Sequence, residues 1–207
     1  MGASLRVACL AAALIVVALA GCGGSSHTSS TEVADVSTAA NKGVPAADKG
    51  VPYTVSTTSM EPTYKGETTV YYDPTRTHPR IGDVIIFRLP TGANGGGCRK
   101  VPVGGAPCQY PVPGLLKKTG IKRVVGLSGD TIAVHAGHVI RNGRPESESP
   151  TLPCGQDERT ACEYPKAITV PAGHYYVMAD YRAAAKEDSR VFGAVPQEAV
   201  LGTVEGS

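Results

Sequence analysis

Tryptophan is absent from the 207-residue chain, and Phe87 and Phe192 are its two phenylalanines. Large aromatic packing is thereby excluded, and Val, Ile, Leu and Tyr must fill the interior. Charge of one sign is lacking as well, since 20 Lys and Arg stand against 18 Asp and Glu. No Lys/Arg cluster is longer than two, so the footprint of a nucleic-acid binder is missing and no nucleic-acid partner is expected. Several reactive patterns are absent: Gly-x-Ser-x-Gly, His-Glu-x-x-His and Cys-x-x-Cys do not occur. Ser59 is followed by Met60-Glu61-Pro62, so it does not open a Ser-x-x-Lys motif, and the glycines from Gly92 to Gly97 lack the following Lys-Ser/Thr of a phosphate cradle. What is present is a hydrophobic content of 42% with 25 glycines and 16 prolines, a turn-rich chain with enough apolar residues for a core. A wholly disordered chain, a collagen and a polytopic membrane protein are excluded, and the length suits one domain with an appendage.

The appendage is N-terminal. Arg6 is the sole charge in the first 31 residues, and Val7 to Leu19 is a 13-residue apolar run, the pattern of a secretory h-region. The run ends at Leu19-Ala20-Gly21-Cys22, which resembles the lipobox of bacterial lipoproteins. That resemblance implies a signal peptide over 1–21, cleavage after Gly21 and a lipid on the Cys22 thiol, which would anchor the chain to the membrane. An uncleaved transmembrane helix is the alternative; Gly21, Gly23 and Gly24 weaken it. Losing Arg6 leaves 19 basic against 18 acidic residues, so the membrane affinity of the mature chain would have to come from its anchor. Residues 22–50 are rich in Gly, Ser, Thr and Ala and are expected to form a flexible linker. Within it, Lys42-Gly43-Val44-Pro45 recurs as Lys49-Gly50-Val51-Pro52, one duplication rather than a solenoid.

With Cys9 lost and Cys22 lipidated, four cysteines remain: Cys98, Cys108, Cys154 and Cys162. An even number outside the cytoplasm indicates disulfides. Three connectivities are possible, and the local pairs Cys98–Cys108 and Cys154–Cys162 are favoured because each closes a short loop in a stretch without a core of its own. Zinc held by these cysteines with His135 and His138 is the weaker alternative, and no metal or cofactor is expected.

From residue 51 to 207 the pattern is one all-β domain. Short β-branched or aromatic runs predict strands at Thr68–Tyr72, Asp83–Phe87, Lys122–Val125, Thr131–Val134, Ile168–Val170 and Tyr175–Met178. Gly137 to Gly143 adds a strand followed by Asn142-Gly143, a tight-turn dipeptide. Short helical turns are expected at Ala183–Glu187 and Gln197–Val200, and irregular insertions near 89–114 and 144–164.

Four segments carry chemistry in combination. They are Ser59-Met60-Glu61-Pro62-Thr63, Gly82-Asp83-Val84-Ile85-Ile86-Phe87, Lys122-Arg123-Val124-Val125-Gly126 through Asp130, and Asp188-Ser189-Arg190 through Gly193. In this order they resemble the boxes of the type I (leader) signal peptidases, a Ser/Lys-dyad family of serine endopeptidases with an antiparallel β fold. The resemblance covers about Val51 to Gly202. It implies Ser59 as nucleophile, Lys122 as general base and the Thr57 hydroxyl as an oxyanion donor beside the Ser59 amide. It also implies Val55, Met60 and Ile121 at shallow substrate pockets, and Arg123, Asp188 and Arg190 as a charged scaffold. The substrate class it implies is a preprotein whose signal peptide is cut after a small residue, at the outer face of the bacterial membrane.

The chemistry of those residue types agrees with the assignment. A solvated lysine has a pKa of about 10.4 and holds its proton at neutral pH, whereas burial disfavours the ammonium. Lys122 lies in a β-branched run, and strand alternation puts Ile121 and Arg123 on the opposite face. An uncharged amine beside Ser59 would activate its hydroxyl. His135, His138 and His174 are the competing bases, and all stand near glycines in expected turns. The last box departs from the family pattern: Ala179 and Tyr181 stand where the family has Gly and Asn, one residue is inserted, and the position of a serine beside the lysine falls on Ala185 or Lys186. In the third box Ser128 replaces a proline. Two rivals therefore stay open, a pseudo-peptidase that serves as a lipid-anchored peptide-binding module, and an envelope lipoprotein with chance motifs.

Overall fold

The computed structural model describes residues 50–148, 150–152, 154–155, 162–184 and 187–207. The expected signal peptide, Cys22 and nearly all of the expected linker lie outside the described residues, as do Ala185 and Lys186. Eleven strands run β1 Val51–Thr54, β2 Thr69–Asp73, β3 Val84–Pro90, β4 Leu115–Gly126, β5 Thr131–His135, β6 His138–Arg141, β7 Arg144–Pro145, β8 Tyr164–Thr169, β9 His174–Met178, β10 Val195–Pro196 and β11 Val200–Val204. The one α-helix among the described residues is the four-residue α1, Ser189–Phe192. No helix among them is long and apolar enough to cross a membrane.

The strands form a seven-stranded sheet in the order β1-β2-β11-β3-β4-β9-β10 and a four-stranded sheet in the order β7-β6-β5-β8, with every strand pair antiparallel. The expected all-β class is what the chain adopts. Strand β3 is central because Val84-Ile85-Ile86-Phe87 is apolar on both faces, and all four residues are buried. Ile85 and Phe87 join Val124, Val177 and Phe192 in one core cluster, while Val84 and Ile86 join Val55, Met60, Val70 and Ile121 in another. A third cluster around Ile132, Val134, Val139, Tyr176 and Met178 includes residues of both sheets.

Several elements differ from expectation. β4 begins at Leu115 rather than Lys122, because Arg88 and Pro90 of β3 continue to pair with Thr119 and Leu115. Lys117-Lys118-Thr119-Gly120 has little β propensity, and the ladder of its neighbour overrides it. β11 was not expected, since Gly202 interrupts its apolar run. Yet a Cβ at Gly202 would come within 2.3 Å of the Asp73 carbonyl oxygen, so glycine is what lets β11 lie against β2. The turn expected at Gln197–Val200 is a 3₁₀ turn over Gln197–Ala199. The helical turn expected at Ala183–Glu187 lies partly outside the described residues, and the helix itself starts two residues later. It is capped by the Asp188 carboxylate, which accepts from the Arg190 N–H. The expected insertions are trimmed by strand pairing, with β3 running on to Pro90, Arg144–Pro145 pairing with β6, and Tyr164 opening β8.

Both local cysteine pairs are formed, Cys98–Cys108 with Cα atoms 5.6 Å apart and Cys154–Cys162 at 6.3 Å, so these thiols are spent in disulfides rather than offered to zinc. Each insertion grips the segment that carries the last box. The Cys108 N–H donates to the Arg190 carbonyl at 2.9 Å and the Ala194 N–H to the Gln109 carbonyl at 3.2 Å. On the other flank the Leu152 N–H donates to Asp180 O at 2.9 Å, and the Arg182 N–H to Leu152 O at 3.0 Å.

Candidate active site

Ser59 sits in a closed turn between β1 and β2. The Val55 N–H donates to Thr68 O at 2.8 Å and the Glu67 N–H to Val55 O at 2.7 Å, which pins the base of the turn. Within it the Glu61 N–H donates to Thr58 O and the Tyr64 N–H to Met60 O. Val55 and Met60 are both wholly buried among Val84, Ile86 and Ile121. These two apolar plugs fix the backbone on either side of Ser59, and the Tyr181 N–H adds a third tie by donating to the Ser59 carbonyl at 3.0 Å.

Lys122 arrives from β4. It pairs with Ile85 across the ladder, on the face of Ile85, Phe87 and Val124, and Ile121 lies with the opposite cluster as alternation requires. Its Nζ donates to Ser59 Oγ at 2.7 Å, and the residues are only 4% and 2% exposed. Thr57 Oγ1 is 2.8 Å from the same Ser59 Oγ and accepts from the Ser59 N–H at 3.4 Å. Removal from water depresses the Lys122 pKa below its ordinary value, against the opposing pull of Asp188, Glu187 and Asp180, while the Arg190 charge lowers it further. The amine therefore sheds its proton more readily than a solvated lysine.

Around this pair stand buried ion pairs. Asp188 is fully buried, and the Arg190 guanidinium donates to both of its carboxylate oxygens, at 3.0 Å from Nε and 2.6 Å from Nη2. Burial works against the Arg190 charge, but Asp188 in contact outweighs it and raises the pKa. Arg190 also donates to the Arg182 carbonyl at 2.7 Å. Arg123 grips Asp180 through Nε at 2.8 Å and Nη2 at 2.7 Å, and the Thr63 hydroxyl also donates to Asp180. Thus Arg123, Asp188 and Arg190 all lie in one set of buried ion pairs. Asp180 and Arg182 belong to it too; in the sequence they stand beside Ala179 and Tyr181 in the altered last box. Arg182 is 1% exposed and pairs with Glu148 at 2.5 Å.

A cleft of about 180 Å³ opens at Lys122, lined in part also by Tyr53, Thr57, Lys118, Ile121 and Glu187. Of the three side chains expected at substrate pockets, Ile121 lines this cleft, whereas Val55 and Met60 lie beneath the turn as core. Glu187, which no sequence motif singled out, lies 4.0 Å from Lys122 Nζ. The three histidines weighed as bases are elsewhere: His135 contacts Glu163, His138 Glu148 and His174 the Ala172 carbonyl, and none lines the cleft. Among the described residues no group of His, Cys, Asp and Glu is arranged to hold a metal ion.

A serine hydroxyl in contact with a desolvated amine that lines a cleft is an arrangement suited to covalent hydrolysis. Residues 48–206 match the protein-family model described as signal peptidase, peptidase S26, and the chain belongs to that family. It is similar to a probable signal peptidase I-1 of Synechocystis, 33% identical over 125 residues that cover 60% of this chain and 52% of that protein. It is 30% identical to a signal peptidase I of Leptolyngbya laminosa over 60% of this chain and 50% of the relative. A mitochondrial ATP-independent inner membrane protease subunit 1b of Arabidopsis thaliana is 31% identical over 61% of this chain and 48% of its own length. The chain spans about half the length of these curated relatives. A crystal structure of a signal peptidase I from Enterococcus faecalis is 22% identical, covering 60% of this chain and 95% of its own, with a TM-score of 0.35.

Proposed function

We propose that the chain is a serine endopeptidase that cleaves signal peptides, or similar exported precursors, after small residues, with Ser59 as nucleophile and Lys122 as general base. The observation that carries this reading is the 2.7 Å contact between a buried lysine amine and a buried serine hydroxyl. With Lys122 uncharged, its lone pair takes the Ser59 proton as Oγ attacks the scissile carbonyl. The oxyanion would be met by the Ser59 N–H and the Thr57 hydroxyl. Thr57 points at Ser59 Oγ at 2.8 Å in the free cleft, so it must turn from the nucleophile toward the substrate oxygen. Collapse of the tetrahedral intermediate passes the proton from Lys122 to the leaving amine and leaves an ester on Ser59. Water then attacks that ester, Lys122 takes the water proton, and Ser59 is restored as the new carboxyl terminus departs.

The substrate would lie extended in the cleft and add a strand to an exposed edge. We further propose that a lipid on Cys22 and the linker to residue 50 hold the domain at the outer face of the cell membrane, near emerging preproteins. Cys22→Ala should then move the chain from the membrane fraction to the soluble fraction.

The test is cleavage of a signal-peptide substrate followed by mass spectrometry. Ser59→Ala should abolish cleavage while circular dichroism and the melting temperature stay close to those of the parent chain. Unchanged cleavage in that variant would overturn the assignment. A second reading is favoured by Ala179 and Tyr181 in the last box: the same cleft binding peptides without turnover. Peptide binding by the parent chain, with no cleavage from pH 7 to 10, would establish it instead.

A further inference from the structure

The carboxylate of Glu187 approaches Lys122 Nζ to 4.0 Å from the rim of the cleft. We propose that Glu187 is a positioning residue that holds the Lys122 ammonium and so sets the pH at which Ser59 is activated. The inference rests on the Ser59–Lys122 reading given above.

Every charged group facing the amine bears on this. Asp188 and Asp180 lie near it, but each is already held by a guanidinium in direct contact, Arg190 and Arg123 respectively. Lys118 lines the same cleft from β4 and contributes a like charge. The turn that carries Ser59 offers the amine a hydroxyl rather than a charge. Glu187 differs from the two aspartates because its ion pair is with Lys122 itself. Its backbone is well placed for the task. It precedes the fully buried Asp188 that caps α1, and its own N–H donates to Ala184 O at 3.2 Å.

The physical consequence is directional. A carboxylate at this range favours the charged amine, so it keeps the proton on Lys122 to a higher pH than burial alone would. In turnover it stabilises the ammonium formed when Ser59 gives up its proton, and it limits the directions in which the amine can swing. Because the Glu187 side chain is 50% exposed, its influence is open to screening by salt.

The experiment is competitive labelling of Lys122 with acetic anhydride across pH, read by mass spectrometry, in Ser59→Ala and in Ser59→Ala with Glu187→Gln. The midpoint should fall by about 0.7 of a pH unit on removing the carboxylate, the effect of a unit charge at about 4 Å under water-like screening. Ionic strength of about 1 M should lower the midpoint of the Ser59→Ala chain and leave that of the double variant in place. In the active chain Glu187→Gln should move the acidic limb of kcat/KM down by the same amount, and on that limb it should cleave about fivefold faster than the parent. Glu187→Asp should fall between the two and guards against a local folding defect in the Gln variant. Equal labelling midpoints with and without Glu187 would overturn the proposal. Failure of the peptidase reading looks different: Ser59→Ala would keep its cleavage, whatever the midpoints.

Discussion

Lys122 and Arg190 are both buried basic side chains of one site, and their pKa values move in opposite directions. Arg190 is 2% exposed and in contact with both oxygens of Asp188, so its charge is locked in place. Lys122 is 4% exposed, its nearest polar partner is a neutral hydroxyl at 2.7 Å, and its carboxylate neighbour stands off at 4.0 Å. Burial is common to the two; pairing is what differs. A well-paired ion in a dry site keeps its charge, and an ill-paired one gives up its proton more readily.

The sharpest way to break the comparison is to remove the reactive member. Lys122→Met, like Ser59→Ala, should lower kcat/KM by at least about 10³-fold in the peptide assay, since an alcohol without its base is a poor nucleophile. Removing the locked member acts on folding instead. Arg190→Met leaves the Asp188 charge buried without its guanidinium and should cost about 3–5 kcal/mol in denaturant unfolding. Met60→Ala empties the seat beneath Ser59 and should cost about 2–4 kcal/mol, with loss of cleavage in the peptide assay following from the displaced turn.

The smallest effect concerns Lys122 and has the reverse sign. Its folded-state pKa is depressed, so between that value and about 10.4 the unfolded chain binds the extra proton. Stability should therefore rise with pH through this window. Lys122→Met should be more stable than the parent at pH 7, by about 1.4 kcal/mol for each pKa unit of depression, and should lose this pH slope in thermal melts. A parent chain whose stability is flat from pH 7 to 10 would mean that the amine is solvated.

Much of this comparison was legible in the sequence. Ser59 in its Ser-Met-x-Pro turn and Lys122 in a β-branched run carried enough pattern to be paired, and alternation along β4 assigned Ile121 and Lys122 to opposite faces, as found. The central strand was readable because its apolar run is unbroken. Less legible was whatever depends on a neighbour. β11 hid behind Gly202, whose reason is the Asp73 carbonyl of another strand. The first half of β4 hid because its lysines pair with β3 by ladder alone. Val55 and Met60 read as pocket residues but form the floor's support. Glu187 carried no motif, and only the fold brings it to Lys122.

The two cysteine-bridged insertions hold Asp180 and Arg182 through Leu152 on one side, and Arg190 and Ala194 through Cys108 and Gln109 on the other. A freshly made chain with free thiols lacks the clamps that seat its own ion scaffold, and treatment with dithiothreitol should loosen that scaffold and slow cleavage together. Reoxidation after removal of the reductant should restore both together.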